Sequence, residues 1–196
     1  MPITPPMVAG VRTCPRVQRG SFLGGVEVDG RRPGPARGRD ECPLLPSGPA
    51  SFVRCGITRL SAPLHTRVSN LWPIAGLVNL RTLDVANTPV QSLAAVAKLE
   101  NLTVLDASDT GITGVSWLEG VASLRALDVS YTSVEYLQPM SKLAELTSVN
   151  IAHTPVSDIR PLWDLQKLRY VRIPYAVNEL YVAPLRARGV SVVREP

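Results

Sequence analysis

The residues of this sequence that are best suited to chemistry are carboxylates that recur every 22 residues. One column at this interval consists of Asp84, Asp106, Asp128, Asn150 and Arg172. If the column lies on adjacent strands, its carboxylates are spaced by about 4.8 Å and repel one another. Two explanations stay open: neutralisation by neighbours such as Arg81 and Arg125, or an acidic stripe that receives Arg or Lys side chains from a partner. No metal site is predicted, because no His or Glu completes a shell around two neighbouring Asp residues.

A second column at the same interval changes from polar to aromatic residues along the chain. It consists of Asn87, Asp109, Tyr131, His153 and Tyr175. We predict that it is the last outward-facing column of the strands. Exposed Tyr and His beside Arg172 are typical of binding hot spots, which predicts a partner-binding surface centred toward Tyr175. The alternative is that these are scattered surface aromatics.

Catalytic residues are not predicted anywhere in the chain. His65 and His153 are the only histidines, and they lie too far apart in repeat order to form a dyad or a metal pair. No Gly-rich phosphate loop precedes a helix. The sequence therefore predicts a non-enzymatic protein without a cofactor.

A column of threonines is predicted to be a structural ladder. Its members are Thr88, Thr110, Thr132 and Thr154. A buried hydroxyl at the corner after a strand can donate to a backbone carbonyl and accept from an N–H, so stacking of repeats would satisfy each corner through its neighbour.

These columns belong to a repeat of 22 residues that the whole chain is built around. Four full copies span residues 80–101, 102–123, 124–145 and 146–167. Each begins with the pattern LxxLxVxxT or with another small or aliphatic residue at its inner positions, which predicts a short strand with inward side chains such as Leu83 and Val85. The apolar positions that follow step by threes, which suits a 3₁₀ turn on the opposite side. A repeat of this period indicates a solenoid.

Both ends of the array are predicted to be capped. Residues 57–79 form a degraded edge repeat, in which Thr66, Val68, Leu71, Ile74 and Leu77 fit the columns while the strand is out of register by about one residue. Residues 168–196 form a capping repeat. Its helix is predicted to begin at Asn178 and end at Gly189, with Leu180, Val182 and Leu185 facing the core. A short closing strand is predicted over residues 190–193.

Residues 1–50 are rich in Pro, Gly and Arg and show no strand or helix period, so alone they are predicted to be disordered or extended. Residues 1–55 carry eight Arg against four acids, which is +4 of the net charge of +5. Contact of this basic tail with RNA or with other subunits is conceivable. Cys14, Cys42 and Cys55 all precede the repeats; reduced thiols are the default, and a Cys42–Cys55 bridge stays open. No membrane-length apolar run is present, so a cytoplasmic location is predicted, with a mitochondrial one as the alternative.

At LDVSYTSVEYLQPMSKL and VSDIRPLWDLQKL, the chain resembles the leucine-rich repeat family in its short 22-residue class. That class includes nuclear phosphatase-regulating proteins and internalin-like proteins. The resemblance implies an α/β solenoid over residues 51–196: a right-handed horseshoe with a parallel sheet on the concave face and a 3₁₀ or short helical convex side. It also implies binding without catalysis. The Thr column departs from the Asn that the family usually has at the ladder position.

The function predicted first is a protein–protein interaction module, monomeric or part of a hetero-complex, that binds a partner on its concave face. The alternative is a structural subunit of a large ribonucleoprotein or another multi-protein complex, anchored by residues 1–50. A phosphatase regulator of the same repeat class is a third possibility that depends on the resemblance alone.

Overall fold

A computed structural model of the 196-residue chain describes residues 22–23, 26–29, 59–61 and 68–195. The described strands form a single sheet in which they follow one another in chain order. Their bounds are Phe22–Leu23 (β1), Val26–Asp29 (β2), Arg59–Ser61 (β3), Thr82–Asp84 (β4), Val104–Asp106 (β5), Ala126–Asp128 (β6), Ser148–Asn150 (β7), Tyr170–Pro174 (β8) and Ser191–Glu195 (β9). From β3 to β9 every pairing is parallel. This parallel sheet confirms the predicted repeat solenoid.

The strands are short because only their central residue and the residue after them need to face inward. Leu83 of β4 and Val85 just after it are fully buried, and the equivalent positions of the later repeats are buried as well. Removal of these aliphatic side chains from water stabilises the fold by about 1.5–3 kcal/mol for each side chain. The hydrophobic core is therefore a stack of equivalent layers of aliphatic residues, as the column pattern predicts.

The side opposite the sheet consists of 3₁₀ helices, which confirms the prediction from the three-residue spacing. They span Trp72–Ile74, Ala94–Lys98, Ser116–Gly120, Gln138–Lys142 and Arg160–Leu162. Pro139 and Pro161 lie in the first turn of their helices. Proline is tolerated there because its missing N–H would have no partner within the helix.

The structure describes part of the predicted N-terminal edge repeat. Val68, Leu71, Ile74 and Leu77 are buried, whereas Thr66 lies outside the described residues. Leu60 of β3 pairs with Leu83 at a spacing of 23 residues, which is the predicted shift of one residue in register. Beyond β3 the sheet continues with β2 and β1, which pair antiparallel.

The sequence predicts neither β1 nor β2, because two and four residues are too short to display a period. The rest of the predicted tail, 1–50, and with it Cys14 and Cys42, lies outside the described residues, as does Cys55. The pairing of the cysteines and the boundary of the tail therefore stay predictions.

The C-terminal cap contains one α-helix, α1, at Glu179–Ala187. The Asn178 side chain accepts a hydrogen bond from the backbone N–H of Leu180 at 2.9 Å, as predicted for a helix start, and Gly189 adopts φ +78° after the helix end. Val182 and Leu185 are buried as predicted, but Leu180 is 75% exposed. The prediction for Leu180 is wrong because two residues along a helix rotate a side chain by about 200° from Val182. Strand β9 extends to Glu195, beyond the predicted end at residue 193.

The threonine hydroxyls bind within their own repeat. Each is buried and donates to the carbonyl three residues earlier: Thr88 to Val85 (2.6 Å), Thr110 to Ala107 (2.7 Å), Thr132 to Val129 (2.6 Å) and Thr154 to Ile151 (2.7 Å). The expectation that they connect neighbouring repeats is wrong. Backbone groups make that connection instead, as where Asn87 N donates to Ser108 O at 2.9 Å.

Close packing between 3₁₀ helices predicts a sharp difference between two glycines of one repeat. A Cβ on Gly120 would lie 2.0 Å from the carbonyl oxygen of Ala97 in the preceding repeat, whereas a Cβ on Gly114 would have no neighbour within 4 Å. We expect Gly120→Ala to lower the free energy of unfolding by about 1–3 kcal/mol. Gly114→Ala should leave it unchanged or raise it by up to about 1 kcal/mol. Urea denaturation measures both, and equal values for the two variants would contradict this packing.

Candidate functional site

The acidic column lies on the outward face of the parallel sheet. Strand pairing places Asp84 beside Asp106, Asp106 beside Asp128, Asp128 beside Asn150, and Asn150 beside Arg172. The four Asp and Asn residues are half-buried, and Arg172 is exposed. The sequence analysis therefore placed this column on the correct face.

Each Asp or Asn of the column also has a structural role that the sequence pattern did not reveal. Its Oδ1 accepts the backbone N–H two residues later, which turns the chain at the end of the strand. The four bonds are Ala86 N to Asp84 (3.1 Å), Ser108 N to Asp106 (3.0 Å), Ser130 N to Asp128 (2.9 Å) and Ala152 N to Asn150 (3.1 Å). One oxygen of each side chain thus serves the fold. The signal was present in the sequence, since Asp and Asn are the residues that favour such turns.

The carboxylates do influence one another. Burial raises the pKa of Asp84 above its ordinary value, the hydrogen bond from Ala86 N opposes that rise, and the charge of Asp106 adds to it. At the other end of the row, Asn150 Nδ2 donates to Asp128 Oδ2 at 2.8 Å. The amide at position 150 therefore replaces repulsion with a hydrogen bond.

Neutralisation by Arg81 and Arg125 is not what the structure shows. Among the described residues neither forms an ion pair with the acidic column. Both instead line a separate surface depression of about 300 Å³, together with Asn101, Thr103, Ser123 and Glu145. The reason is register: these arginines lie before the strands, whereas the carboxylates end them.

A second depression, of about 270 Å³, lies on the sheet face itself. Aliphatic residues of β5 and β6 line part of it, and the rest of its lining is Asp106, Asp128, Ser148, Asn150, Tyr170 and Arg172. Its walls therefore change from acidic at β5 and β6 to basic and aromatic at β8.

The second predicted column lies just after the strands and not in them, which corrects the prediction. Asn87, Asp109, Tyr131 and His153 all adopt left-handed backbone conformations, with φ of 56°, 52°, 56° and 55°. The chain must reverse at this corner so that the following Thr can reach back to its own strand. Tyr175 departs from this series, because β8 continues to Pro174 and Tyr175 N donates to Glu195 O at 2.7 Å.

Three of the predicted residues come together with two that the sequence missed; we call these five the C-terminal cluster. The rings of Tyr131 and His153 stack with centroids 4.1 Å apart and planes inclined by 13°. His153 Nε2 lies 3.7 Å from Glu195 Oε2, and Arg172 Nη1 lies 3.3 Å from Glu195 Oε1. Arg172 Nε donates to Tyr170 Oη at 2.6 Å. Glu195 thus joins the closing strand to the aromatic pair.

Glu195 was missed because the closing strand was expected to end at residue 193. Tyr170 was missed although its column was visible, since Thr82, Val104, Ala126 and Ser148 precede it at the same interval. Tyr175 is 69% exposed and lies over the guanidinium of Arg194, 5.7 Å from its ring centroid. Asn87 lies in the first full repeat, away from the C-terminal cluster.

Among the described residues, no group of three His, Cys, Asp or Glu side chains is placed to hold a metal ion. In that same part of the chain, no helix has the length and apolarity needed to cross a membrane.

The raised pKa of Asp84 predicts a stabilising substitution. In Asp84→Asn, the amide oxygen can accept from Ala86 N as Asn150 does from Ala152 N, and the charge disappears. Because the folded-state pKa of Asp84 is raised, the free energy of unfolding falls as pH rises through that pKa and the carboxyl group ionises. We therefore expect Asp84→Asn to be more stable than the parent at about pH 7, and the gain to vanish below the ordinary Asp pKa of about 3.9. Asp84→Ala should cost about 0.5–1.5 kcal/mol through the lost hydrogen bond. Urea denaturation at both pH values checks this; a loss of stability in Asp84→Asn at neutral pH would contradict it.

The aromatic pair is expected to contribute little to folding. Replacing Tyr131 and His153 together by Asn, the residue at position 87, relieves two left-handed backbones but removes the stack, and these effects nearly cancel. We expect a change in unfolding free energy below about 1 kcal/mol. Leu127→Ala in the same repeat should cost about 2–5 kcal/mol because Leu127 is buried in the core. If the double replacement costs as much as Leu127→Ala, the pair belongs to the folding core.

Comparison with known proteins identifies structural relatives only. No protein-family model matches the sequence, and no curated protein is significantly similar to it. Internalin C2 of Listeria monocytogenes is 29% identical with a TM-score of 0.68, and the match covers 74% of this chain and 65% of that one. Internalin F of the same organism is 17% identical with a TM-score of 0.65, covering 74% and 43%. The functional domain of its InlJ, which includes a cysteine ladder, is 20% identical with a TM-score of 0.55, covering 62% and 25%.

The last two likenesses concern the fold alone, and the chain spans less than two thirds of the length of each of the three proteins. Internalin C2 shares the repeat architecture at higher identity. With its 22-residue columns, its seven described parallel strands and its 3₁₀ helices, the chain has a leucine-rich repeat fold that is similar to that of the internalins.

Proposed function

We propose that this chain is a non-enzymatic interaction module that binds a protein partner on the concave, sheet-bearing face. The observation that carries the proposal is the C-terminal cluster beside the acidic column. There, aromatic and charged groups lie together, with Tyr131 and Arg172 exposed and the other three residues half-buried. The internalin-like fold supports a protein-interaction role in general, but a fold alone does not select a partner.

Rigidity favours binding here. The side chains of the acidic column extend from strands or strand ends whose backbone is fixed on both sides by neighbouring repeats. Such groups lose little conformational entropy when a partner docks, so more of the contact energy appears as affinity. Tyr131 at 58% exposure and Tyr175 at 69% supply the large amphipathic surfaces that dominate many interfaces.

The charge pattern supports a partner with basic residues. Asp84 and Asp106 each use Oδ1 as the acceptor of a turn, and Asp106 Oδ1 also accepts from Ser108 Oγ. Within the described residues, neither Asp84 nor Asp106 accepts a hydrogen bond at Oδ2. The other oxygens can receive Lys or Arg. At the far end Arg172 is paired with Glu195, so the negative potential falls along the column and would fix the orientation of a basic partner.

The alternatives stay predictions. A ribonucleoprotein or complex subunit anchored by residues 1–50 depends on a segment that lies outside the described residues, apart from β1 and β2. The phosphatase-regulator alternative depends on resemblance alone.

Affinity capture with the full chain tests the proposal. The variant Asp84→Asn/Asp106→Asn removes two charges while keeping the turn acceptors, and Glu100→Gln/Asp164→Asn removes two exposed charges away from the strands. We expect the first variant to weaken capture of the protein partner about fivefold or more, at about 0.5–1 kcal/mol for each lost ion pair, and the second to leave it unchanged. Quantitative mass spectrometry with and without nuclease gives the readout.

Equal capture by both variants would contradict binding on the concave face. Loss of all partners after nuclease treatment would favour the ribonucleoprotein alternative.

A further inference from the structure

The ring of Tyr131 presents one open face in a fixed orientation. His153 covers its other face, with centroids 4.1 Å apart and the two planes nearly parallel. His153 in turn lies 3.7 Å from Glu195, which Arg172 holds at 3.3 Å. The stack therefore limits the rotation of Tyr131, while 58% of the residue stays exposed.

The open face is turned toward the preceding repeat. Equivalent residues of neighbouring repeats are spaced by about 4.8 Å. The plane of a ring that stacks on the next ring of its column is therefore perpendicular to the direction of the column. The face opposite His153 consequently points to the turn that contains Asp109. That turn is joined to the strand end of Tyr131's own repeat, since Asp109 N donates to Ser130 O at 2.9 Å.

Asp109 is the residue that precedes Tyr131 in the same column, so its carboxylate belongs to the turn on this side of the ring. It is exposed, and within the described residues its side chain forms neither an ion pair nor a hydrogen bond. The column of Asp106 and Asp128 lies on the same sheet face and adds negative potential. On the opposite side of the stack, Glu195 already occupies Arg172.

The backbone at Tyr131 also indicates a role beyond folding. Its φ of 56° is a conformation that Asn and Asp adopt readily and bulky residues do not. Asn87 and Asp109 satisfy that preference in the first two repeats, and aromatic residues replace them in the next two. Unfavourable backbone conformations that persist in a fold are concentrated at functional sites.

We propose that Tyr131 and Asp109 form a binding site for an arginine side chain of the partner, with the guanidinium stacked on the open face of Tyr131 and paired with the Asp109 carboxylate. This inference rests on the proposed function for the source of the arginine, but the site itself consists of residues of this chain. It commits to arginine because a planar guanidinium can stack on a ring and bind a carboxylate with two N–H groups at once. An ammonium group satisfies only the charge.

The test uses the full chain and short peptides as probes. ¹H–¹⁵N NMR titration with Gly-Arg-Gly is compared with Gly-citrulline-Gly, which keeps the planar shape and loses the charge. We expect saturable shifts at Asp109 and Tyr131 with the arginine peptide, and an affinity at least about threefold weaker for the citrulline peptide.

Two variants and two matched controls complete the design. Tyr131→Asn, which introduces the residue type of Asn87, and Asp109→Asn should each weaken arginine-peptide binding about two- to fivefold. Tyr136→Ala removes another exposed tyrosine that lies outside the strands, and Asp164→Asn removes an exposed carboxylate; neither should change binding. Equal affinity for the two peptides, or equal loss in variants and controls, overturns the arginine site.

The two proposals fail separately. If the arginine peptide binds as expected while partner capture is insensitive to Asp84→Asn/Asp106→Asn, the arginine site stands and the concave-face function is overturned. If capture depends on those aspartates but the peptide titration shows no preference for arginine, the function stands and the arginine site is overturned.

Discussion

The structure depends on backbone hydrogen bonds that join each repeat to the next at the same position. After each of the strands β4 to β7, an amide donates to the carbonyl of the following repeat, as Val85 N does to Asp106 O and Ala107 N to Asp128 O, both at 2.9 Å. Since donor and acceptor stand in a fixed relation within the repeat, one inserted residue would disrupt a whole layer of bonds. The constant interval of 22 residues follows from this constraint, and so do the columns that put like residues beside like.

An array of this kind leaves unpaired backbone groups at its ends, and the two ends solve the problem differently. At the C-terminus, α1 and β9 close the last layer, and Arg188 Nη2 donates to Leu165 O at 2.7 Å while Trp163 Nε1 donates to Tyr181 O at 2.9 Å. At the N-terminus, β3 is shifted by one residue and the sheet continues with antiparallel strands. A change of strand direction ends the repeat geometry and keeps another copy from continuing it.

The sequence predicts equivalence between positions well and the direction of side chains less well. Columns of apolar residues, such as those of Leu83 and of Val85, indicate burial. The solenoid, the 3₁₀ helices and the buried threonines could therefore be predicted from the repeat. The column of Tyr131 could not be placed in the same way, because a repeat interval is the same for a strand and for a left-handed turn. Leu180 and Glu195 lie in the capping repeat, which has no second copy in the chain. A wrong prediction there cannot be recognised by comparison with equivalent positions. The turn-forming role of Asp84 was missed because the same Asp side chain supplies a negative charge and accepts a hydrogen bond from the backbone.

The two roles of these Asp side chains limit which substitutions the sheet face tolerates. Oδ1 of Asp106 is committed to the turn, so this residue can become Asn with little structural cost but can become an apolar residue only by losing the turn acceptor. At Asp128 the second oxygen also accepts from Asn150 Nδ2, so that Asn would lose one hydrogen bond there. Charge on this face is thus easily varied, and shape is not. At the left-handed corner the constraint is reversed: the fold favours Asn or Asp, and an aromatic ring there is opposed by the backbone. The pair of Tyr131 and His153 offsets part of that cost by stacking, and Glu195 lies 3.7 Å from the second ring. A single ring at this corner would bear the same backbone cost without the stack.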